Sequence, residues 1–258
     1  MAFIKQLKGQ RVIITGASSG IGEALAIECA RRGMHLGLVA RREDCLQRLA
    51  ERLRPSGVQI EIATLDVTQT DQVLPILSGL ADLLGGVDLV IANAGILKNR
   101  KVGDGRIYRD QQVFQTNVMG AIATSEAAIQ LFRLQGHGGQ IAVTSSYSAF
   151  LPLPTAAAYS ASKAAVTSYF NAIRAPLLRE KIRVTVMHPS FVKTDMLDGF
   201  ETRGLPIVAR ADEMATDMMD AIAREQHNPI LPKQPWGLLY QAQKLMPNRL
   251  ILELQKRI

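Results

Sequence analysis

The strongest constraint on what this chain can fold into is an alternation. Apolar runs of strand length, rich in Val, Ile and Leu, are separated by longer segments with helical periodicity almost from end to end. The spacing predicts strands over 11–15, 35–40, 59–65, 89–92, 140–144, 183–188 and 229–231, with helical segments near 20–32, 42–54, 69–84, 109–135, 157–180 and 211–226. Strands apolar on both faces and joined through helices belong to parallel βαβ units, whose sheet is covered on each side. The expected fold is therefore α/β, a doubly wound Rossmann-like parallel sheet of about seven strands in a single domain. A chain of 258 residues with 47% hydrophobic content is long enough to bury such a core. Sheets of this kind bind ligands at the carboxyl ends of their strands, where the strand order reverses.

The first of those strand ends carries a glycine-rich turn. The strand 11-RVIIT-15 runs into 16-GASSGIG-22 and then into a helix opening near Glu23. Gly16 permits a tight turn, Gly20 lets backbone approach a diphosphate, and Gly22 allows the helix to pack closely on the sheet. The helix N-terminus offers unpaired N–H groups and partial positive charge to phosphates. The glycine spacing differs from the Gly-x-Gly-x-x-Gly of long-chain dehydrogenases.

Composition excludes several other readings. The net charge of +7 is dispersed over short pairs such as Arg31-Arg32 and Arg41-Arg42, which argues against nucleic-acid binding. Cys29 and Cys45 form no metal-ligand or disulfide pattern, no metal site is expected, and a reducing cytoplasmic setting fits. The N-terminus lacks a signal-peptide pattern, and no apolar run has membrane-spanning length.

A second constellation lies in 155-TAAAYSASKAAVTSYF-170, where Tyr159 and Lys163 stand one helical turn apart and so share a face. Free tyrosine, with a pKa near 10, is a poor base at neutral pH. A cation held nearby favours its phenolate, and Lys163 is placed to supply one. The same spacing would also suit an ordinary solvated face.

Taken in order, TGASSGIG at 15–22, NAG at 93–95, Asn117, Ser146 thirteen positions before the YxxxK of Tyr159 and Lys163, and Pro189 with Thr194 five residues on resemble the short-chain dehydrogenase/reductase family over roughly residues 8–232. The resemblance implies an NAD(P)-dependent oxidoreductase interconverting a carbonyl and an alcohol. Tyr159 is then the acid in reduction and the base in oxidation. Lys163 holds the nicotinamide ribose and lowers the tyrosine's pKa, and Ser146, rather than Ser145, polarises the substrate carbonyl. Asn117, unfavourable within a helix, reads as a helix-kinking residue, and the resemblance adds a water held by its main chain that relays protons to Lys163; the two roles are compatible.

For the cofactor, the resemblance implies contacts from Gly16, Ser18, Ser19, Gly20, Ile21 and Gly22. Asp66 and Val67 would meet the adenine, and Asn93, Ala94 and Gly95 would support the sheet and pass beside the ribose. Asp66 could equally cap a helix starting near Thr68, and Asn93 could be purely structural. Arg41 and Arg42, where NAD-dependent members carry an acidic residue, would attract a 2′-phosphate, which favours NADP(H). Alternatively they are solvated charges partnered by Glu43 and Asp44. Val192 and Thr194 would meet the carboxamide, beside Pro189, while Ser190 replaces the family's usual glycine and leaves the local backbone path open. His188 reads as a strand-end residue.

The expected domain spans 1–232, with a substrate lid over 195–228 and a C-terminal amphipathic extension over 233–258. Met196, Leu197, Phe200, Leu205 and Ile207, with Phe150, Leu151 and Leu153, suggest an apolar pocket for a hydrophobic small-molecule carbonyl or alcohol. The extension, with Trp236, Leu238, Leu239, Leu245, Leu250, Ile251 and Leu254 among basic residues, would lie on the body of the protein, cover a partner subunit, or rest peripherally on an anionic membrane surface. The long helices over 109–135 and 157–180 resemble the family's dimer interface, so a homodimer, or a tetramer, is expected. The rival from another class is a catalytically silent nucleotide-sensing or scaffolding protein.

Overall fold

The computed structural model describes residues 6–197 and 208–255. Phe200, Leu205 and Ile207 of the expected pocket lie outside the described residues, as do the side chains of Leu197 and Leu254.

Seven strands form one sheet: β1 Arg11–Thr15, β2 His35–Ala40, β3 Ile60–Thr64, β4 Leu89–Ala92, β5 Gly139–Thr144, β6 Ile182–Pro189 and β7 Ile230–Leu231. Every neighbouring pair is parallel, and the order is β3-β2-β1-β4-β5-β6-β7. The order reverses between β1 and β4, which opens the crevice where such sheets take ligands. Alternate side chains of each strand feed opposite cores. Val12, Ile14, Leu36, Leu38 and Ile91 pack towards α1 Gly20–Arg31, α2 Glu43–Leu53 and α7 Ala211–Ala223. Ile13, Val39, Val90, Ile141 and Val143 pack towards α3 Thr70–Leu84, α5 Gly120–Gln135 and α6 Ala157–Arg179. A strand buried on both faces must be apolar throughout, which is why these strands read as continuous runs rather than as alternating ones.

The single helix expected over 109–135 is three pieces: α4 Ile107–Phe114, a π-helical turn at Gln115–Met119, and α5. The wide turn is centred on Asn117, whose buried amide is engaged in both directions. Its Oδ1 accepts from the Ile96 N–H at 2.8 Å, while Nδ2 donates to the Ile96 carbonyl at 3.0 Å and to Ser162 Oγ at 3.0 Å. A side chain that bonds outside its own helix explains the local irregularity; π turns of this kind recur at functional sites. The third helix begins at Thr70 rather than near Thr68. Asp66 does not cap it; its Oδ1 accepts from the Thr68 N–H and hydroxyl at 3.0 and 2.9 Å, a local turn ahead of the helix.

After β7 come α8 Trp236–Leu245 and α9 Asn248–Gln255. Trp236 is 3% exposed and packs with Tyr147 and Leu151, ringed by Phe150, Phe191, Tyr240 and Ile251. Leu238, Leu245, Leu250 and Leu252 face outward. Among the described residues no helix is long and apolar enough to cross a membrane.

Candidate active site

One cavity runs along the carboxyl ends of β1–β6. Its lining includes Gly16, Ser18, Ser19, Gly20, Ile21 and Gly22 at one end, Arg41, Arg42, Asp66 and Val67 beside them, Asn93, Ala94 and Gly95 at the centre, and Ser146, Tyr159, Lys163, Pro189, Val192 and Thr194 at the other end. The structure thus brings together every expected site residue except Asn117, which sits buried just behind the wall.

The cradle is held by close backbone packing. Gly16 has a φ of +71°, and a Cβ there would stand 2.8 Å from the Ala94 Cα. A Cβ on Gly22 would overlap the Gly16 carbonyl oxygen. Two polar side chains lock the strand ends around this turn. Thr15 Oγ1 accepts from the N–H groups of Asn93 and Ala94 at 3.1 and 3.3 Å. Asn93 reaches back to the Thr15 and Gly16 carbonyls and accepts from Thr144 Oγ1 at 3.1 Å, tying β1, β4 and β5 together. Asn93 therefore has the structural role that its sequence position left open.

The N-terminus of α1 opens into this cavity without a side-chain cap, because the Ser19 hydroxyl is bound by Arg42 Nη2 at 2.7 Å instead. Uncapped N–H groups at a helix start, above a turn too tight for any Cβ, suit the diphosphate of a dinucleotide. Arg42 also reaches Ser18 Oγ at 3.0 Å, and Arg41 Nη1 lies 3.7 Å from Asp66. Glu43 and Asp44 partner neither arginine: Asp44 pairs with Arg48 at 2.9 Å, and Glu43 accepts from Gln47. Both arginines line the cavity, Arg42 on the Ser18 and Ser19 hydroxyls and Arg41 beside Asp66.

At the other end, Lys163 is 4% exposed and its Nζ donates to the Thr144 carbonyl at 2.7 Å while standing 5.7 Å from the centroid of the Tyr159 ring. Burial lowers its pKa to about 8. Burial pushes the Tyr159 hydroxyl up, and its hydrogen bond with Ser146 pulls it back. Ser146 Oγ accepts from the Ser148 N–H at 3.1 Å as the residue opens a short 3₁₀ turn, so its own proton is available to donate. Ser145 also lines the cavity, but its hydroxyl is engaged on α6, bonding the Lys163 carbonyl at 2.9 Å and Thr167 at 2.8 Å. His188 is wholly buried between Thr167 Oγ1 and the Pro229 carbonyl, and burial lowers its pKa to about 4, so it stays neutral there. Ser190 is absent from the residues with positive φ, and its backbone N–H donates to the Leu231 carbonyl at 2.8 Å; the β6 end follows a path that does not need glycine.

Sequence reasoning missed several participants. Thr15 and Thr144 are strand-end threonines whose side chain or carbonyl organises the site, and Ser162, one residue before Lys163, anchors Asn117. Adjacency to the motifs was the available signal. Tyr147, beside Ser146, also lines the cavity.

A dinucleotide-binding fold with a Ser-Tyr-Lys set at the end of its fifth strand defines the class, and sequence comparison agrees. A sequence model of the short chain dehydrogenase family matches residues 10–203. An uncharacterized oxidoreductase of Mycobacterium tuberculosis is 34% identical over 243 residues, 93% of this chain and 95% of that protein. The 11-beta-hydroxysteroid dehydrogenase A of Sesamum indicum is 34% identical over 201 residues, 76% of this chain and 56% of the relative. The crystal structure of a short-chain type dehydrogenase/reductase from Mycobacterium marinum superposes with a TM-score of 0.81 at 30% identity, over 87% of this chain and 94% of that one. The chain belongs to the short-chain dehydrogenase/reductase family: it is an oxidoreductase of a family that binds NAD(P) and acts on small molecules.

Proposed function

We propose that this enzyme interconverts a hydrophobic carbonyl compound and its alcohol with NADP(H), which when bound supplies or accepts the hydride. The observation that carries the reading is the meeting of Ser146, Tyr159 and Lys163 in the same cavity as the glycine cradle. In reduction the Tyr159 hydroxyl gives its proton to the carbonyl oxygen, which the Ser146 hydroxyl orients and polarises by donating a hydrogen bond. The Lys163 ammonium lowers the cost of the resulting phenolate by Coulomb attraction and holds the nicotinamide ribose. Asn117 keeps the end of β4 against α6, and its main chain in the π turn holds a water leading to Lys163. Gly16 to Gly22 receive the diphosphate, Asp66 and Val67 the adenine, and Pro189, Val192 and Thr194 the carboxamide side.

The preference for NADP(H) rests on Arg41 and Arg42, which line the cavity with Ser18 and Ser19 and suit a 2′-phosphate. A hydrophobic substrate is supported by Ile96, Leu97, Leu151, Leu153, Phe191 and Met196 in the cavity wall, and by relatives named as 11-beta-hydroxysteroid dehydrogenases. A homodimer through α4, α5 and α6 is supported by exposed Phe114 and Met119 and by the small exposed Ala161 and Ala164. A cytoplasmic setting is supported by two free cysteines. Replacing Tyr159 with Phe is expected to lower kcat by about 10³-fold while NADPH binds as before, since general acid catalysis is worth 10²–10⁴-fold. Carbonyl reduction at near the parent rate in that variant would overturn the mechanism.

A further inference from the structure

The loop after Ser146 forms one wall of the cavity through Tyr147, Ser148, Leu151 and Leu153, yet it is held from outside by a helix almost a hundred residues further on. Gln243 of α8 makes both bonds of a clamp. Its Oε1 accepts from the Tyr147 hydroxyl at 3.1 Å, and its Nε2 donates to the Phe150 carbonyl at 2.6 Å. Gln255 of α9 adds a bond to the Pro152 carbonyl at 3.0 Å. Ring contacts complete the grip: Trp236 meets Tyr147 edge-on at 4.9 Å, and Tyr240 lies tilted against Phe150 at 4.6 Å, between ring centroids. Tyr147 is only 4% exposed, so its hydroxyl must be paired to avoid the cost of a buried orphan.

We infer that Gln243 is a positioning residue for substrate selection: by engaging the Tyr147 hydroxyl and the Phe150 carbonyl it presents the ring of Tyr147 as an apolar wall beside Ser146, which favours apolar ring ketones and their alcohols over small polar ones. Gln243 touches neither the reacting atoms nor the cradle, so it acts through KM for the carbonyl substrate. The segment lies beyond the residues 10–203 that the family shares. The inference rests on the carbonyl-reduction reading and specifies its substrate class.

The test compares 4-tert-butylcyclohexanone with dihydroxyacetone, using the full chain and NADPH. In Gln243→Leu, KM for the cyclohexanone rises about tenfold, as expected for one buried hydroxyl left unpaired, with kcat and the Kd for NADPH within twofold of the parent. Adding Tyr147→Phe removes the orphan hydroxyl and restores at least half of the lost affinity. An unchanged KM ratio between the two ketones, or no recovery in the double variant, overturns the inference. A parallel fall of kcat and NADPH affinity also overturns it, since that would mark general unfolding. Trp236 is the chain's one tryptophan and its ring touches this cluster, so its emission reports the wall without turnover. If the parent binds NADPH but reduces neither ketone, the proposed reaction fails on its own. The clamp then stands if Gln243→Leu shifts Trp236 emission to the red, and falls if the emission is unchanged.

Discussion

The two ends of the cavity are built by different means. The nucleotide end is made of backbone: Gly16 against Ala94, Gly22 against the Gly16 carbonyl, an uncapped helix start, and short polar side chains bonding strand ends to one another. At the proposed substrate end the loop after Ser146 is backed by large side chains, Tyr147, Phe150, Phe191 and Trp236, gathered from segments far apart in sequence; Tyr147 and Phe191 line the cavity, while Phe150, expected in the pocket, packs in the cluster instead. A diphosphate presents the same geometry to every member of such a family, so backbone approach can recognise it and a fixed motif encodes it. Substrates differ, and side-chain packing can be altered without disturbing the sheet. The lesson is that the two halves should respond separately to substitution.

The largest effect that would break this separation is Trp236→Ala. Removing a 3%-exposed indole from its aromatic cluster is expected to cost about 3 kcal/mol, released through local opening of α8 and α9. Hydrogen exchange should show the loss in those helices while the Kd for NADPH stays within twofold; weaker nucleotide binding would mean that the two ends are one cooperative unit.

The proposed proton-transfer centre between them should show itself in pH. The Lys163 pKa is lowered from 10.5 to about 8 by burial. Between about pH 8 and 10.5 the unfolded chain therefore binds more protons at this residue than the folded one, and stability from this group rises with pH. Relative to Lys163→Met, the ligand-free protein should gain about 3 kcal/mol across that window in denaturant titrations. A flat difference would place Lys163 in contact with water.

A smaller stability cost, about 2 kcal/mol of overpacking, is expected for Gly22→Ala, yet nucleotide affinity should drop by more than tenfold because the added methyl meets the Gly16 carbonyl. Calorimetric titration with NADPH checks this, and retention of tight binding would show that the cradle yields. Smallest is Arg42→Ala, which should raise KM for NADPH about tenfold, the scale of one charge-assisted bond, with little change for NADH. Equal changes for both nucleotides would remove the 2′-phosphate reading.

Much of this was legible in the chain itself. The strand positions and the parallel class followed from continuous apolar runs, because strands covered on both faces have no polar face to show. The grouping of Tyr159 with Lys163 followed from helical spacing. Other features were not legible for physical reasons. The π turn at Gln115–Met119 arises from the bonds of Asn117 to Ile96 and Ser162, partners that only folding brings near. The choice between Glu43 or Asp44 and the cavity as the surroundings of Arg41 and Arg42 depended on side-chain directions at the end of β2 that spacing does not set. Asp66 looked able to cap a helix starting near Thr68, but that helix begins at Thr70 and the Asp66 carboxylate closes a local turn ahead of it.

By itself the sequence determined a doubly wound parallel sheet with a glycine turn after its first strand and a tyrosine and a lysine on one helical face. These properties are local, and local periodicity and backbone freedom encode them. The tertiary structure alone decided that the Ser145 hydroxyl is taken up by the Lys163 carbonyl and Thr167 of α6. It also decided that Asn93 ties three strands and that Gln243 grips the loop beside Ser146. Each depends on contacts between residues tens of positions apart, whose directions are set only when the sheet and its helices have packed.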